Sequence, residues 1–116
     1  MPEPPAAIDL REQLLLSFEG RSLDDAAAER IAGRAAGVTL YRHLNVGSAA
    51  EVRALSESLQ RAAARLGRPA LLIGADHETG QLHALGADTT AFPGAMALGA
   101  VDDVALTERV GAAIGA

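Results

Sequence analysis

Three short apolar runs, separated by stretches with helical spacing, limit this chain to a small set of folds. The runs are Leu14 to Phe18, Val38 to Tyr41 and Ala70 to Ala75. None alternates apolar with polar residues. Each therefore reads as a strand covered on both faces, the condition of a parallel sheet. Val38, Thr39 and Tyr41 add strand preference to the second run. Between the first two runs, Ser22 is a candidate helix cap and Asp25 an acid suited to the first turn. Leu23, Ala27, Ile31 and Ala35 recur at helical spacing, and Gly37 is placed to end this helix over 23–36. Between the second and third runs, Ser48 and Glu51 spell a capping box. Val52, Leu55, Leu59, Ala62 and Leu66 line one face of a helix over 49–66, and Gly67 and Pro69 stop it. Glu57 and Arg61 sit on it in the favourable order for an ion pair one turn apart.

After the third run, a loop with several glycines extends to about Val101. Asp102 or Asp103 then caps a last helix expected to bury Leu106, Val110 and Ile114. Ile8 to Gln13 predicts a helical turn. Residues 1–7 predict a disordered or extended lead, and residues 8–116 a single body. The alternation places the chain in the α/β class, with parallel strands and right-handed crossovers. Strands begin near residues 14, 38 and 70. That is about 28 residues per unit, and eight such units make roughly the 250 residues of a closed barrel. Three units fit either a small open doubly wound sheet or a partial TIM-type (β/α)8 barrel. Composition does not choose between them.

Composition does exclude several functions. The aromatic residues are Phe18, Tyr41 and Phe92, so alanine and leucine must fill the core. The net charge is −5, and the basic residues are scattered arginines with no lysine, which argues against nucleic acid as a partner. The absence of cysteine excludes disulfides, thiolate metal sites and a cysteine nucleophile. The first residues lack a basic region followed by an apolar one, so no secretory signal is expected. No apolar run reaches the ~20 residues that span a bilayer. The expectation is a cytoplasmic protein with no membrane partner.

The chemistry-bearing residues gather where the third run ends. Ligands in parallel α/β folds bind at the carboxyl ends of strands. Asp76, His77 and Glu78 stand there, followed by Gly80 and Gln81. A carboxylate at such a mouth can accept several hydrogen bonds from sugar hydroxyls; a solvated loop start is the plain alternative. His77-Glu78 opens like a zinc-protease motif, but the second histidine of that motif would fall at position 81, which is glutamine. A looser metal set of Asp76, His77 and His83 is the remaining metal reading, and no metal or cofactor is expected. Phosphate-loop and nucleophile-elbow patterns are absent. Arg42 and His43 read as loop partners and Met96 as a packing residue.

Two segments resemble a known family. PALLIGADHETGQLHAL, residues 69–85, is similar to the third-strand signature of family 3 glycoside hydrolases, an apolar strand followed by Asp-x-Glu-Gly-Gly-(Arg or Gln). FPGAMALGA, residues 92–100, resembles the family's Phe-Pro-x-x-Met-Ala-Leu-Gly-Ala segment. LLLSFEG at 14–20 and GVTLYRHLN at 37–45 look like its first two strands, so the likeness runs over residues 10–116. It is nearest to the β-N-acetylhexosaminidase-like branch. The resemblance implies a (β/α)8 barrel and a retaining hydrolase of β-linked sugars, N-acetylhexosaminides or β-glucosides, with a carbohydrate as partner. It assigns Asp76 to sugar hydroxyls in the −1 subsite, and His77, Glu78, Gly80 and Gln81 to the motif loop. In the family the nucleophilic aspartate and the His-Asp acid/base lie on later barrel units, so no residue here inherits a catalytic role. The expectation is a fragment of about three barrel units, inactive alone. The alternatives are a non-catalytic sugar-binding half-barrel that self-associates through its open edge and an unrelated small α/β domain. Three departures are visible. Thr79 replaces the first motif glycine, Gln81 the common arginine, and Ala84 a second arginine found in hexosaminidases. Threonine is costly at position 79 if the backbone there needs a positive φ.

Overall fold

The computed structural model describes residues 9–115. The expected N-terminal lead lies outside them. A 3-10 turn at Leu10–Gln13 comes first, capped by Asp9, whose carboxyl is held down to about 2 by its hydrogen bonds with Arg11. Strand β1 (Leu15–Leu16), helix α1 (Asp25–Ala32) and strand β2 (Gly37–Leu40) follow. Then come the short helix α2 (Arg42–Asn45), helix α3 (Ala49–Arg65), strand β3 (Leu72–Ala75), and helices α4 (Ala95–Val101) and α5 (Val104–Ile114). The three strands form one parallel sheet in the order β1-β2-β3, as the alternation predicts.

The register divides the sheet into two unlike faces. Parallel partners share a face, and successive rows alternate. Leu16, Val38 and Ile73 form one row, and Leu40 with Ala75 the next but one, facing α1 and α3. There Val38, Leu40, Ile73 and Ala75 meet Ala28 and Ala32 of α1 and Leu55, Leu59, Ala62 and Ala63 of α3. Alanine at the α1–α3 contact lets two helices approach closely with few aromatic side chains in the chain. The other face carries Leu15, Gly37 and Leu72 in one row and Thr39 with Gly74 in another. Nothing described covers it: Leu15 is 57% exposed and Leu72 67%.

Gly37 is a correction. It does not end α1 but opens β2, because a Cβ there would run into the Leu72 carbonyl and stand 2.8 Å from Leu72 Cβ. Helix α1 is shorter than 23–36 at both ends. Asp24, not Ser22, caps it, since its carboxylate accepts from Ala27 N at 2.6 Å, and Gly33 ends it. The α3 capping box forms as predicted, with Glu51 accepting from Ser48 N at 2.7 Å. That bond, with one from the Ser48 hydroxyl, holds the Glu51 carboxyl below its usual range. Glu57 and Arg61 pair at 3.6 Å, and Gly67, at φ 65°, ends the helical run.

Two polar side chains explain why β1 and β3 are shorter than their apolar runs. Asn45 is fully buried, and its amide nitrogen donates to Phe18 O at 2.9 Å and Gly20 O at 3.0 Å, while its oxygen accepts from Tyr41 N at 3.0 Å. The backbone after Leu16 thus bonds to the α2 turn instead of extending the ladder. Gln60 of α3 grips both backbone groups of Leu71, at 2.8 and 2.9 Å, so β3 starts one residue later. Residues 95–101, expected as loop, form α4, and Asp102 ends it in a left-handed conformation while Asp103 caps α5. The buried face expected for α5 is also corrected. Leu106 and Val110 are half-buried and Ile114 is 49% exposed, because no described element lies across that helix.

Asn45→Ala would strand two carbonyls and an N–H in the interior. We expect a loss of roughly 1–3 kcal/mol in urea unfolding, with Asn45→Asp also destabilising because it cannot donate.

Candidate functional site

The loops at the carboxyl ends of all three strands meet on one side of the sheet. Burial alternates along β3 and continues past its end: Leu72 exposed, Ile73 partly buried, Gly74 exposed, Ala75 partly buried, Asp76 exposed, His77 partly buried. Asp76 thus extends the row of the uncovered face, and His77 the row that faces the helices.

His77 is not a free loop group. Its Nδ1 accepts from the backbone N–H of both Ala84, at 3.1 Å, and Leu85, at 3.2 Å. An acceptor nitrogen carries no proton, so the neutral ring holds its proton on Nε2. The His83 ring lies against it, centroids 4.5 Å apart. Thr89 Oγ1 donates to Gly86 O at 2.9 Å and therefore accepts from His83 Nε2 at 3.2 Å. Both imidazoles are committed to holding the loop. Among the described residues no three His, Asp or Glu side chains converge to hold a metal ion, and Asp76, His77 and His83 form no such set.

Two further ties fix the loop. Asp88 Oδ2 accepts from Ala49 N at 2.7 Å, bonding to an open N–H at the start of α3. Gly80 N donates to Phe92 O at 3.0 Å, and Gly80 itself packs so tightly that a Cβ would stand 2.9 Å from Gly94 Cα. The 76–85 and 92–100 segments are therefore one assembly. Sequence reasoning missed Asn45, Asp88 and Thr89, which carry much of this scaffold; Asn45 ends the one-turn helix α2 and Asp88 lies in the loop, and no local pattern marks the distant partner of either, while Thr89 bonds within its own turn to Gly86 and to nearby His83.

Glu78, Thr79, Gly80, Gln81 and Leu82 form one wall of a cleft of about 1040 Å³, with Gly94, Ala95, Met96, Ala97 and Ala100 opposite. A second cleft, about 710 Å³, lies on the far side of Leu82 and is lined by Arg21, Arg42, His43, Val46, Gly47, Gly86 and Ala87. Asp76 borders neither. Glu78, Gly80 and Gln81 are exposed, so the structure brings the motif loop together around Thr79, which is 7% exposed. Met96, read as a packing residue, is 89% exposed.

Thr79 adopts φ 66°, a left-handed conformation rare for a β-branched residue. Its hydroxyl donates to Pro93 O at 3.0 Å, a bond that glycine could not make. Strain and bond oppose each other. Thr79→Gly should therefore leave stability within about 1 kcal/mol, relieving about 1–2 kcal/mol of backbone cost and giving up a hydrogen bond of about 0.5–1.5. Thr79→Val keeps the strain and loses the bond, so it should cost about 0.5–1.5 kcal/mol. Chemical denaturation of the pair reads the difference.

The sequence model described as "Glycosyl hydrolase family 3 N terminal domain" matches residues 9–116. No curated protein matches the chain. Among solved structures, it is similar to a glycoside hydrolase family 3 beta-N-acetylglucosaminidase from Paenibacillus sp. str. FPU-7, at 35% identity and a TM-score of 0.70. That match covers 84% of this chain and 19% of the Paenibacillus protein. With nearly the whole chain matched by one family's domain, and with its parallel strands and helices laid out as in a solved member, the chain belongs to glycoside hydrolase family 3, within its N-terminal domain.

Proposed function

We propose that this domain serves a retaining glycoside hydrolase acting on β-linked sugars, N-acetyl-β-hexosaminides before β-glucosides, and that Asp76 binds hydroxyls of the sugar in the −1 subsite. The observation that carries the reading is the position of Asp76. It is the first residue past β3, on the uncovered row of the sheet and at the strand's carboxyl end. In a closed barrel that row faces the interior, and the carboxyl end faces the mouth where substrates bind. The Paenibacillus relative, a beta-N-acetylglucosaminidase, favours the hexosaminide.

Retention needs a nucleophilic carboxylate and an acid/base close together across the sugar. The family supplies both from later barrel units, so the 116-residue chain should release no nitrophenol from an aryl N-acetyl-β-glucosaminide. In a protein that also carries those units, Asp76→Ala should lower kcat/KM by at least about a hundredfold, roughly 2.7 kcal/mol. That is one or two charge-assisted hydrogen bonds at about 1.5–3 kcal/mol each. His83→Ala should change it far less. A value within a few-fold of wild type for Asp76→Ala would reduce the 76–85 motif to a structural role.

The uncovered leucines favour a second reading, a half-barrel that binds sugar and self-associates through its open sheet. Sedimentation equilibrium decides it: a monomer at all concentrations removes it, and a dimer broken by Leu72→Glu supports it.

A further inference from the structure

The reading of Asp76 leaves open what keeps its carboxylate in place, since the strand ends at Ala75 and the next residues are loop. The bonding of the neighbouring imidazole supplies an answer. We infer that His77 is a positioning residue for the sugar subsite, holding the Asp76 backbone through the two N–H groups that its Nδ1 accepts. This rests on the proposed role of Asp76.

The geometry works by opposition. Asp76 and His77 extend the two opposite rows of the sheet, so anchoring one side chain fixes the direction of the other. His77 is anchored to Ala84 and Leu85, where the loop returns. Ala84 is buried, so its N–H has no ready replacement from water. His83 closes over the ring and is itself held by Thr89. The return segment is held at Asp88 to the start of α3 and at Gly80 to Phe92. The imidazole thereby connects the strand end to a segment fixed by α3. Without it, the first remaining tie between the outgoing backbone and the returning loop is the bond from Glu78 N to Leu82 O at 3.1 Å, two residues beyond Asp76. The role requires an acceptor at the Nδ1 position and no ionisation, which asparagine can supply through its Oδ1.

The test uses the isotopically labelled 116-residue chain titrated with N-acetylglucosamine and followed by backbone amide NMR. Wild type should respond at Asp76 and its neighbours, and Asp76→Ala should abolish the response. His77→Ala should weaken binding by about tenfold, the loss expected for one or two backbone hydrogen bonds. His77→Asn should restore it to within about threefold of wild type. The imidazole nitrogen shifts of wild type should place the His77 proton on Nε2. No response in wild type overturns the sugar-site reading and the inference together. A response lost in Asp76→Ala but kept in His77→Ala overturns the inference alone, as does a folded His77→Asn that binds no better than His77→Ala. If His77→Ala does not fold, His77→Asn decides: folded with near wild-type affinity supports the role, and folded without affinity overturns it.

Discussion

A sheet that is apolar on both faces but covered on one is the constraint on which the rest of this structure depends. Helices α1 and α3 cover Val38 and Ile73 of one row and Leu40 and Ala75 of another. The opposite rows keep Leu15 and Leu72 exposed. Exposed apolar strand surface of this kind is uncommon on a folded domain. In the family's barrel, the same surface lies inside, where side chains of eight strands interlock in layers. The direction in which Asp76 leaves the sheet follows from this division. A strand that buries Ile73 and Ala75 against helices must turn the next alternate residues, Gly74 and Asp76, away from them.

Polar side chains that bind backbone do the remaining positioning. Asn45 joins the end of β1 to the α2 turn, Gln60 fixes the start of β3, and Asp88 docks the long loop on α3. Each reaches a backbone group that no strand or helix satisfies, and at Asn45 and Gln60 those groups are partly shut off from water, where leaving them open is costly. The exposed ion pairs contribute less. Arg65 bridges to Glu29 at 2.8 Å and Asp25 at 3.2 Å, but water screens all three partners.

The parallel order, the Ser48–Glu51 capping box and the third-strand end at Asp76 were legible in the sequence because each rests on local spacing. Element ends were less legible. The apolar run from Leu14 to Phe18 suggests a full strand, yet only Leu15 and Leu16 pair, since Asn45 claims the backbone beyond. That competition spans more than twenty residues and leaves no periodic mark. Gly37 has the look of a helix stop, but its use is the close passage of β2 under Leu15 and Leu72. Helix α4 was hidden by Gly94 at its start and Gly99 within it, which outweigh the helix preference of its alanines in a sequence reading, and the outer face of α5 by an apolar stripe that no described element covers.

The motif loop shows the same conflict between local preference and tertiary bonding at its sharpest. Thr79 and Gly80 take φ of 66° and 59°, so two successive residues turn left-handed. Glycine suits both positions by conformation alone. Gly80 has a second reason to be glycine, because Gly94 leaves no room for a side chain. Position 79 has no such contact, and threonine gains there a bond to Pro93 O. The first site is set by space and the second by a balance of terms of similar size. A departure from the family glycine is therefore tolerable at 79 and not at 80, and it leaves the path of the backbone between Asp76 and the 92–94 segment closed by two hydrogen bonds instead of one.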